Sequence, residues 1–465
     1  MRDIRSELQQ LREKLRRMEQ REASLEQREV GRAAPELASE SVELPPWESV
    51  SADSEFEASL TTVSSLTDWH VSDEGFRPER VPATGRIMGS VEECVAGKEV
   101  ETASGKHFQS ETLYECGLVH GNFEVSGLAG LPGSTITALC PAHQGGGSEM
   151  WAFVDTETIG LAGGAGSFAF LIGLGRMTEQ GFLVTQYFLR EPSEEASVLE
   201  SLAQDLSPFA TMVTYNGRSF DAPLLETRYR MARQRIPFAE MPHLDLLFAC
   251  RRLWKQRFES CKLTNLERDV LDFERVGDVP GFLIPSLYTN YLRTRDAGSL
   301  VPVFQHNALD ILSLACLTSL VGATFENPEL VLERHPTECV GLGRWLLQMG
   351  RRDEALPFLW KAANSAIAED LLARTLWEIA IAERQMGRYA EMQKPLRQLL
   401  DFPNRLQAQA LEALSILYER RLVDLDEALR FAERLMQMQP SPQNASRMER
   451  LTLRRARNRT RRLLE

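Results

Sequence analysis

A chain of 465 residues is long enough for two or three domains and at least one sizeable core. Its 66 acidic residues against 53 basic ones leave a formal charge of -13, which argues against indiscriminate binding to polyanions while leaving a local basic groove open. There is no run of about 18 uncharged apolar residues to span a bilayer, and the N-terminus is charged, so the composition reads as that of a cytoplasmic protein with no membrane partner. Seven scattered cysteines without a C-x2-C pair argue against a zinc ligand set or a disulfide framework.

Residues 1–32 place Ile4, Leu8, Leu11, Leu15, Met18 and Leu25 on one helical seam, interrupted by Glu22. The pattern predicts a short coiled coil, with a homodimer through residues 1–32 as one outcome and a lone solvated helix as the other. Residues 33–80 follow as an acidic linker, with ten acids between Glu36 and Glu74, a composition with too little apolar surface to offset the entropy of ordering. Short apolar patches and frequent glycines over 81–150 predict a β-rich N-terminal extension. Its histidines, His107, His120 and His143, are dispersed and suit packing or surface roles.

The segment 151–326 carries the chemistry. Trp151 to Gly160, WAFVDTETIG, reads as a strand that ends in acids and breaks into a glycine-rich turn. Side chains alternate along a strand, so Asp155 and Glu157 share a face while Thr156 points the other way. Two further strands, FAFLIGLGRM and GFLVTQYFLR, meet at a tight turn. A helix capped from Ser193 then buries Val198, Leu199, Leu202 and Leu206. ATMVTYNG predicts a fourth strand, SFDAPLLETRYRMARQR a helix and HLDLL a short fifth strand. Three meandering strands followed by alternating helices and strands define an α/β mixed sheet with helices on both faces.

Three acidic signals fall in order along this segment: Asp155 with Glu157, then Asp221 in YNGRSFD at a helix start, then Asp310 in HNALD at the opening of an apolar helix. Taken singly, Asp221 and Asp310 each fit a helix cap or dipole partner. Together they supply four hard oxygen ligands from three separated segments, the donor type two divalent ions about 4 Å apart require. Asn216 is placed to brace the site or touch substrate, and Phe220 reads as a core residue. Asp245 reads as a strand-end acid, with contact to the site as the alternative. Tyr288 and Tyr291 fit base stacking and a helix face equally. Arg228, Arg230, Arg233, Arg235, Arg251, Arg252, Lys255, Arg257 and Lys262 form a candidate phosphate track, of which Arg228, Arg251 and Arg252 are the substrate-binding candidates, against the default of a solvated face.

In these motifs the chain resembles the DEDD superfamily of 3′-to-5′ exonucleases, with Asp-x-Glu, Asn-x2-3-(Phe/Tyr)-Asp and a final Asp. More narrowly, WAFVDTETIGLAGGAGSFAFLIGLG, VTYNGRSFDAPLLETR and HNALDILSLACL resemble the YprB-type ribonuclease H-like family, which carries tetratricopeptide-like repeats after its nuclease domain. The resemblance implies metal binding by Asp155, Glu157, Asp221 and Asp310, two Mg or Mn ions and hydrolysis of DNA or RNA. The third motif departs from both common subclasses, which use Tyr-x3-Asp or His-x4-Asp, whereas this chain has His306-x3-Asp310. One helical turn separates the pair, so His306 can orient or deprotonate a water, or else cap the helix or contact substrate.

After Pro328 the strand signals stop. MGRRDEALPFLWKAA, MGRYAEMQKPLRQLL and RRLVDLDEALRFAERLM recur, with Glu354, Glu391 and Glu427 at near-constant spacing, which predicts tetratricopeptide-like helical pairs over 335–440, an all-α helical-repeat C-terminal domain. These pairs either present a face to a protein partner or brace the catalytic domain. A basic helical tail over 441–465, with eight arginines from Arg447 onward, suits nucleic acid, an acidic partner or solvent. The expected function is a metal-dependent nuclease with catalytic His306, Asp155 and Glu157. The alternative is a non-catalytic nucleic-acid-binding or scaffold protein acting through its helical repeats.

Overall fold

The computed structural model describes residues 89–143, 145–160 and 166–464. The expected helix over 1–32 with its dimer seam, and the acidic linker over 33–80, lie outside the described residues.

The centre of the molecule is a seven-stranded sheet in the order β1-β2-β7-β6-β5-β8-β9. Its strands are β1 (Lys98–Thr102), β2 (Gly105–Glu115), β5 (Trp151–Ile159), β6 (Phe168–Thr178), β7 (Gly181–Phe188), β8 (Thr211–Thr214) and β9 (His243–Asp245). β3 (Val119–His120) and β4 (Phe123–Glu124) form a separate hairpin. β5, β6 and β7 make the expected antiparallel meander, and β8 and β9 add in parallel beyond β5. β1 and β2 extend the same sheet past β7, so the expected extension and the segment after residue 150 share one sheet.

β5 is central and covered on both faces, which is why its first half is continuously apolar rather than alternating. Trp151 and Phe153 enter one core, while Ala152 and Val154 enter the other. The second core lies under α1 (Glu195–Leu206), α2 (Asp221–Met231) and α4 (Ile284–Thr294), and the first under α3 (Leu246–Trp254) and most of α5 (Val301–Glu326). Tyr288 and Tyr291 belong to the second core. Tyr288 stacks on Phe170 at 4.1 Å between ring centroids, and its hydroxyl donates to the Leu189 carbonyl at 3.0 Å, which removes both tyrosines from any stacking role with a base.

α5 is long and apolar enough to cross a bilayer, yet 83% of its most apolar stretch is buried against the rest of the fold. Glycines in β6 let it lie close. A Cβ at Gly173 would stand 2.3 Å from Ile311 Cδ1 and 2.4 Å from Asn307 Oδ1, and one at Gly175 would stand 2.4 Å from Ile311 Cγ2. Gly173 pairs directly with Asp155 across the ladder, so the close approach brings α5 over the acidic end of β5.

Seven helices follow: α6 (Pro336–Gln348), α7 (Arg352–Ala363), α8 (Glu369–Gln385), α9 (Tyr389–Gln398), α10 (Gln407–Arg420), α11 (Leu425–Met438) and α12 (Pro442–Leu464). The pairs α6/α7, α8/α9 and α10/α11 are joined by tight turns that use Gly350 (φ 79°), Gly387 (φ 71°) and Val423 (φ 55°) in the left-handed region. The recurring acids Glu354, Glu391 and Glu427 fall in the first turns of α7, α9 and α11, where a carboxylate meets the positive end of the helix dipole. The first pair shares the sheet's own core: Cys339, Val340, Leu342, Trp345 and Phe358 are buried in one cluster with Trp151, Leu253 and Ile311. Gly341 lies against the end of α3, where a Cβ would come within 2.4 Å of the Arg252 carbonyl oxygen.

Candidate metal centre

The acids of β5, α2 and α5 meet at one end of β5. Glu157, His306 and Asp310 each offer a ligand atom, all within 4.8 Å of one another. His306 Nε2 stands 3.9 Å from a Glu157 oxygen and 3.7 Å from an Asp310 oxygen. α5 begins at Val301, well before His306, so Asp310 sits in the helix interior rather than in its first turn. A cap or dipole role for Asp310 is thereby removed. Asp221 is the first residue of α2, as expected.

Asp155 and Asp221 adjoin this group, each with a dedicated donor. Asn307, fully buried on α5, donates from Nδ2 to Asp155 Oδ2 at 2.8 Å and accepts at Oδ1 from Gln186 Nε2 at 2.8 Å. Thr156, on the opposite face of β5 from Asp155, donates its hydroxyl to Asp221. Asp245 is buried and accepts from the backbone N–H groups of Asn216 at 2.8 Å, Arg218 at 3.1 Å and Leu247 at 3.2 Å. It therefore caps α3 and holds the loop leading to Asp221, where the sequence favoured a surface acid. Asn216 contributes to that brace through a left-handed backbone, φ 62°, a conformation asparagine tolerates better than most residues. Phe220, expected in the core, is 48% exposed beside Asp221.

Crowding of negative charge shows in the protonation equilibria. Burial, then the charges of Asp310 and Asp221, push Asp155 well above the ordinary carboxylate range. Glu157 is raised likewise by burial and by Asp155, Asp310, Asp221 and Asp278. Burial pushes Asp221 up to about 6, against the opposing Thr156 hydrogen bond. Buried carboxylates that repel one another and lack enough countercharge are the donor set a divalent cation satisfies, so the residues present fit such an ion.

Three residues of this centre are not among the candidates read from the sequence: Asp278, Arg275 and Asn307. Asp278 lies in a loop and approaches His306 Nδ1 at 2.8 Å. Burial raises its carboxyl, but the hydrogen bond and charge of His306, with the charge of Arg275, outweigh it and leave Asp278 below the usual value. Arg275 Nη1 also lies 3.2 Å from Nδ1, but the Asp278 contacts at 2.8 and 2.9 Å are shorter and an ionised carboxylate only accepts, which favours the proton on Nδ1 and, in the neutral ring, a lone pair on Nε2 facing Glu157 and Asp310. Arg275 enters the centre with its side chain 7% exposed, pairing with Glu267, Asp278 and Asp310. Neither the loop acid nor the arginine has a periodic or motif context. Only Asn307 stands inside a recognisable stretch, HNALD.

The substrate-binding candidates do not converge. Arg228 Nε donates to Glu195 at 2.6 Å, and its guanidinium lies near Phe168. Arg252 of α3 lies over Trp345 at 4.9 Å, and Arg257, just after α3, pairs with Glu338, so both join this region to the C-terminal helices. Arg230 pairs with Glu226 at 2.8 Å. Arg251, on α3, is partly buried. Of the phosphate track read from the sequence, Arg228, Arg230, Arg252 and Arg257 are thus engaged in ion pairs or ring contacts within the protein.

A mixed sheet with acids gathered at the end of its central strand and on the helices beside it defines the ribonuclease H class of nuclease-like domain. The family model RNase_H_2, described as RNase_H superfamily, matches residues 152–321. The chain is 30% identical over 283 residues to the uncharacterized protein YprB of Bacillus subtilis (strain 168), an alignment covering 60% of this chain and 68% of that protein. The chain belongs to the YprB-type ribonuclease H-like family.

Proposed function

We propose that the protein is a metal-dependent 3′-to-5′ exonuclease that hydrolyses phosphodiester bonds of DNA or RNA. The observation that carries this reading is the convergence of Asp155, Glu157, Asp221 and Asp310, with His306, at the end of β5. A domain that only bound nucleic acid would gain nothing from four mutually repelling carboxylates. Two Mg or Mn ions held by these four acids would supply an ionised water and charge stabilisation at the leaving 3′ oxygen. Asn307 fixes the Asp155 carboxylate, and Thr156 fixes that of Asp221, so both are oriented before any ligand arrives. Asp278 keeps the proton of His306 on Nδ1, which leaves Nε2 free to accept a proton from the attacking water or to act as a ligand. The helical pairs after α5 are proposed to be tetratricopeptide-like, with the first bracing the nuclease domain and the later ones open to a protein partner.

The test is incubation of the purified protein with 5′-end-labelled single-stranded DNA and RNA in Mn²⁺ or Mg²⁺, beside Asp155→Asn. A ladder shortening from the 3′ end, absent with the variant and absent on circular substrates, is expected. Cleavage of circles would replace the exonuclease with an endonuclease. No metal-dependent product from any substrate would favour the scaffold alternative.

A further inference from the structure

Among the described residues around the acidic centre, Arg275 is a cation whose place is secured from behind. Its Nε donates to Glu267 Oε2 at 2.7 Å and its Nη2 to Glu267 Oε1 at 2.6 Å, a bidentate fork on an acid that is itself 1% exposed. The same guanidinium reaches Asp278 at 3.1 Å and pairs with Asp310. Behind Glu267 the chain of donors continues. Ser313 on α5 donates to Glu267, and His120 Nε2 lies 2.7 Å from the Ser313 hydroxyl. Burial pushes His120 down to about 3, so its ring is neutral and acts as the donor to Ser313.

The hairpin β3–β4 holds this arrangement from outside the nuclease domain. The Asn122 N–H donates to the Leu271 carbonyl at 2.8 Å, and the His120 ring lies against that of Phe273, tilted by 34° with 3.9 Å between centroids. Gly121 turns the hairpin at φ 66° directly on that carbonyl: a Cβ there would come within 2.1 Å of Leu271 O. Asp278, Glu267 and Asp310 are thus connected through one fixed guanidinium, and the segment carrying it is clamped by residues 119–124.

We infer that Arg275 is a positioning residue that serves as the resident cation of the metal centre, holding Asp310 and the Asp278–His306 pair in register and competing with divalent metal for Asp310. The inference rests on the metal-site reading above. A fixed positive charge beside a ligand weakens the attraction of that ligand for a second cation, and removing the charge strengthens it. An arginine with a purely structural role would, when replaced, leave metal affinity unchanged or lower it.

The experiment is direct Mn²⁺ binding by calorimetry to the full chain, without nucleic acid, for the wild type, Arg275→Gln, Arg275→Lys and the double variant Arg275→Gln/Glu267→Gln. The double variant replaces the buried ion pair with a neutral hydrogen-bonding pair and so avoids stranding Glu267 if the single variant misfolds. Binding about tenfold tighter is expected in Arg275→Gln and in the double variant, with Arg275→Lys close to wild type. Unchanged or weaker binding in the folded double variant overturns the inference, as does tightening by the lysine variant equal to that of glutamine. Mn²⁺ binding that shifts as expected in a protein that cleaves nothing would overturn the nuclease reading and leave this one standing. Absence of binding by all four proteins would overturn both.

Discussion

At the scale of single residues, the acidic centre sets buried carboxylates against one another, and burial together with their mutual repulsion raises their protonation equilibria. Asp221 is raised to about 6 from an ordinary 3.8, so between those values the folded chain holds more protons than the unfolded one. Stability without metal therefore falls as pH rises through that window, and the loss is complete above it. Thermal unfolding in a chelator should show this as a Tm that declines from pH 4 toward about 6, a slope that Asp221→Asn makes shallower while the raised Asp155 and Glu157 keep the remainder. The same variant should lose most of the Tm gain that Mn²⁺ gives the wild type. Asp155→Asn should abolish turnover with the far-ultraviolet circular dichroism spectrum unchanged, because Asn307 can still hydrogen-bond the amide oxygen. Asp278 meets His306 at 2.8 Å, so under the proposed function its effect is transmitted through the histidine. Asp278→Asn should lower kcat about ten- to a hundredfold with a smaller change in Mn²⁺ affinity, and equal losses in both would contradict that role.

At the scale of elements, two backbone positions make distinct demands. Gly173 faces α5 where Asn307 and Ile311 cross β6, so Gly173→Ala forces the helix away from β5. Overpacking of this kind costs about 1–3 kcal/mol, and the displaced Asn307 should release Asp155, so activity should fall by more than stability alone explains. Val423 occupies the turn position that Gly350 and Gly387 hold in the preceding pairs, but as an exposed β-branched residue at φ 55°. A left-handed conformation is costly for such a side chain, so Val423→Gly should raise stability by up to about 1 kcal/mol in a denaturant titration. The same turn regularity explains what the sequence displayed as a repeat: an acid in the first turn of each second helix.

The whole molecule joins its two expected domains through a single core. Trp345 packs edge-to-face on Phe325 at 4.7 Å, and Cys339, Val340 and Leu342 sit in the cluster that underlies β5. A chain ending near residue 330 would expose that apolar surface, and the yield of non-aggregated protein on gel filtration should fall sharply relative to the full chain. At the other end, Arg447, Arg450 and Arg454 of α12 pair with Glu412 and Glu419 of α10, and Leu451 is buried. Much of the tail's basic charge is therefore turned inward onto the last helical pair instead of outward to a polyanion.

The sequence by itself determined the meander, the order of strands and helices and the four acids, because each is written in local patterns: alternation, caps and short motifs. It also carried the family, through HNALD and YNGRSFD. Only the tertiary structure decided the role of Asp245, the exposure of Phe220, the burial of Tyr288 and the diversion of Arg228 and Arg252 into internal contacts. Asp278, Arg275 and Glu267 became visible only there as well. Each meets its partners across a loop or from another element, and ion pairs between segments leave no periodicity behind. Burial, too, is decided by what packs above a residue, which for β5 and α5 includes helices that begin beyond residue 330.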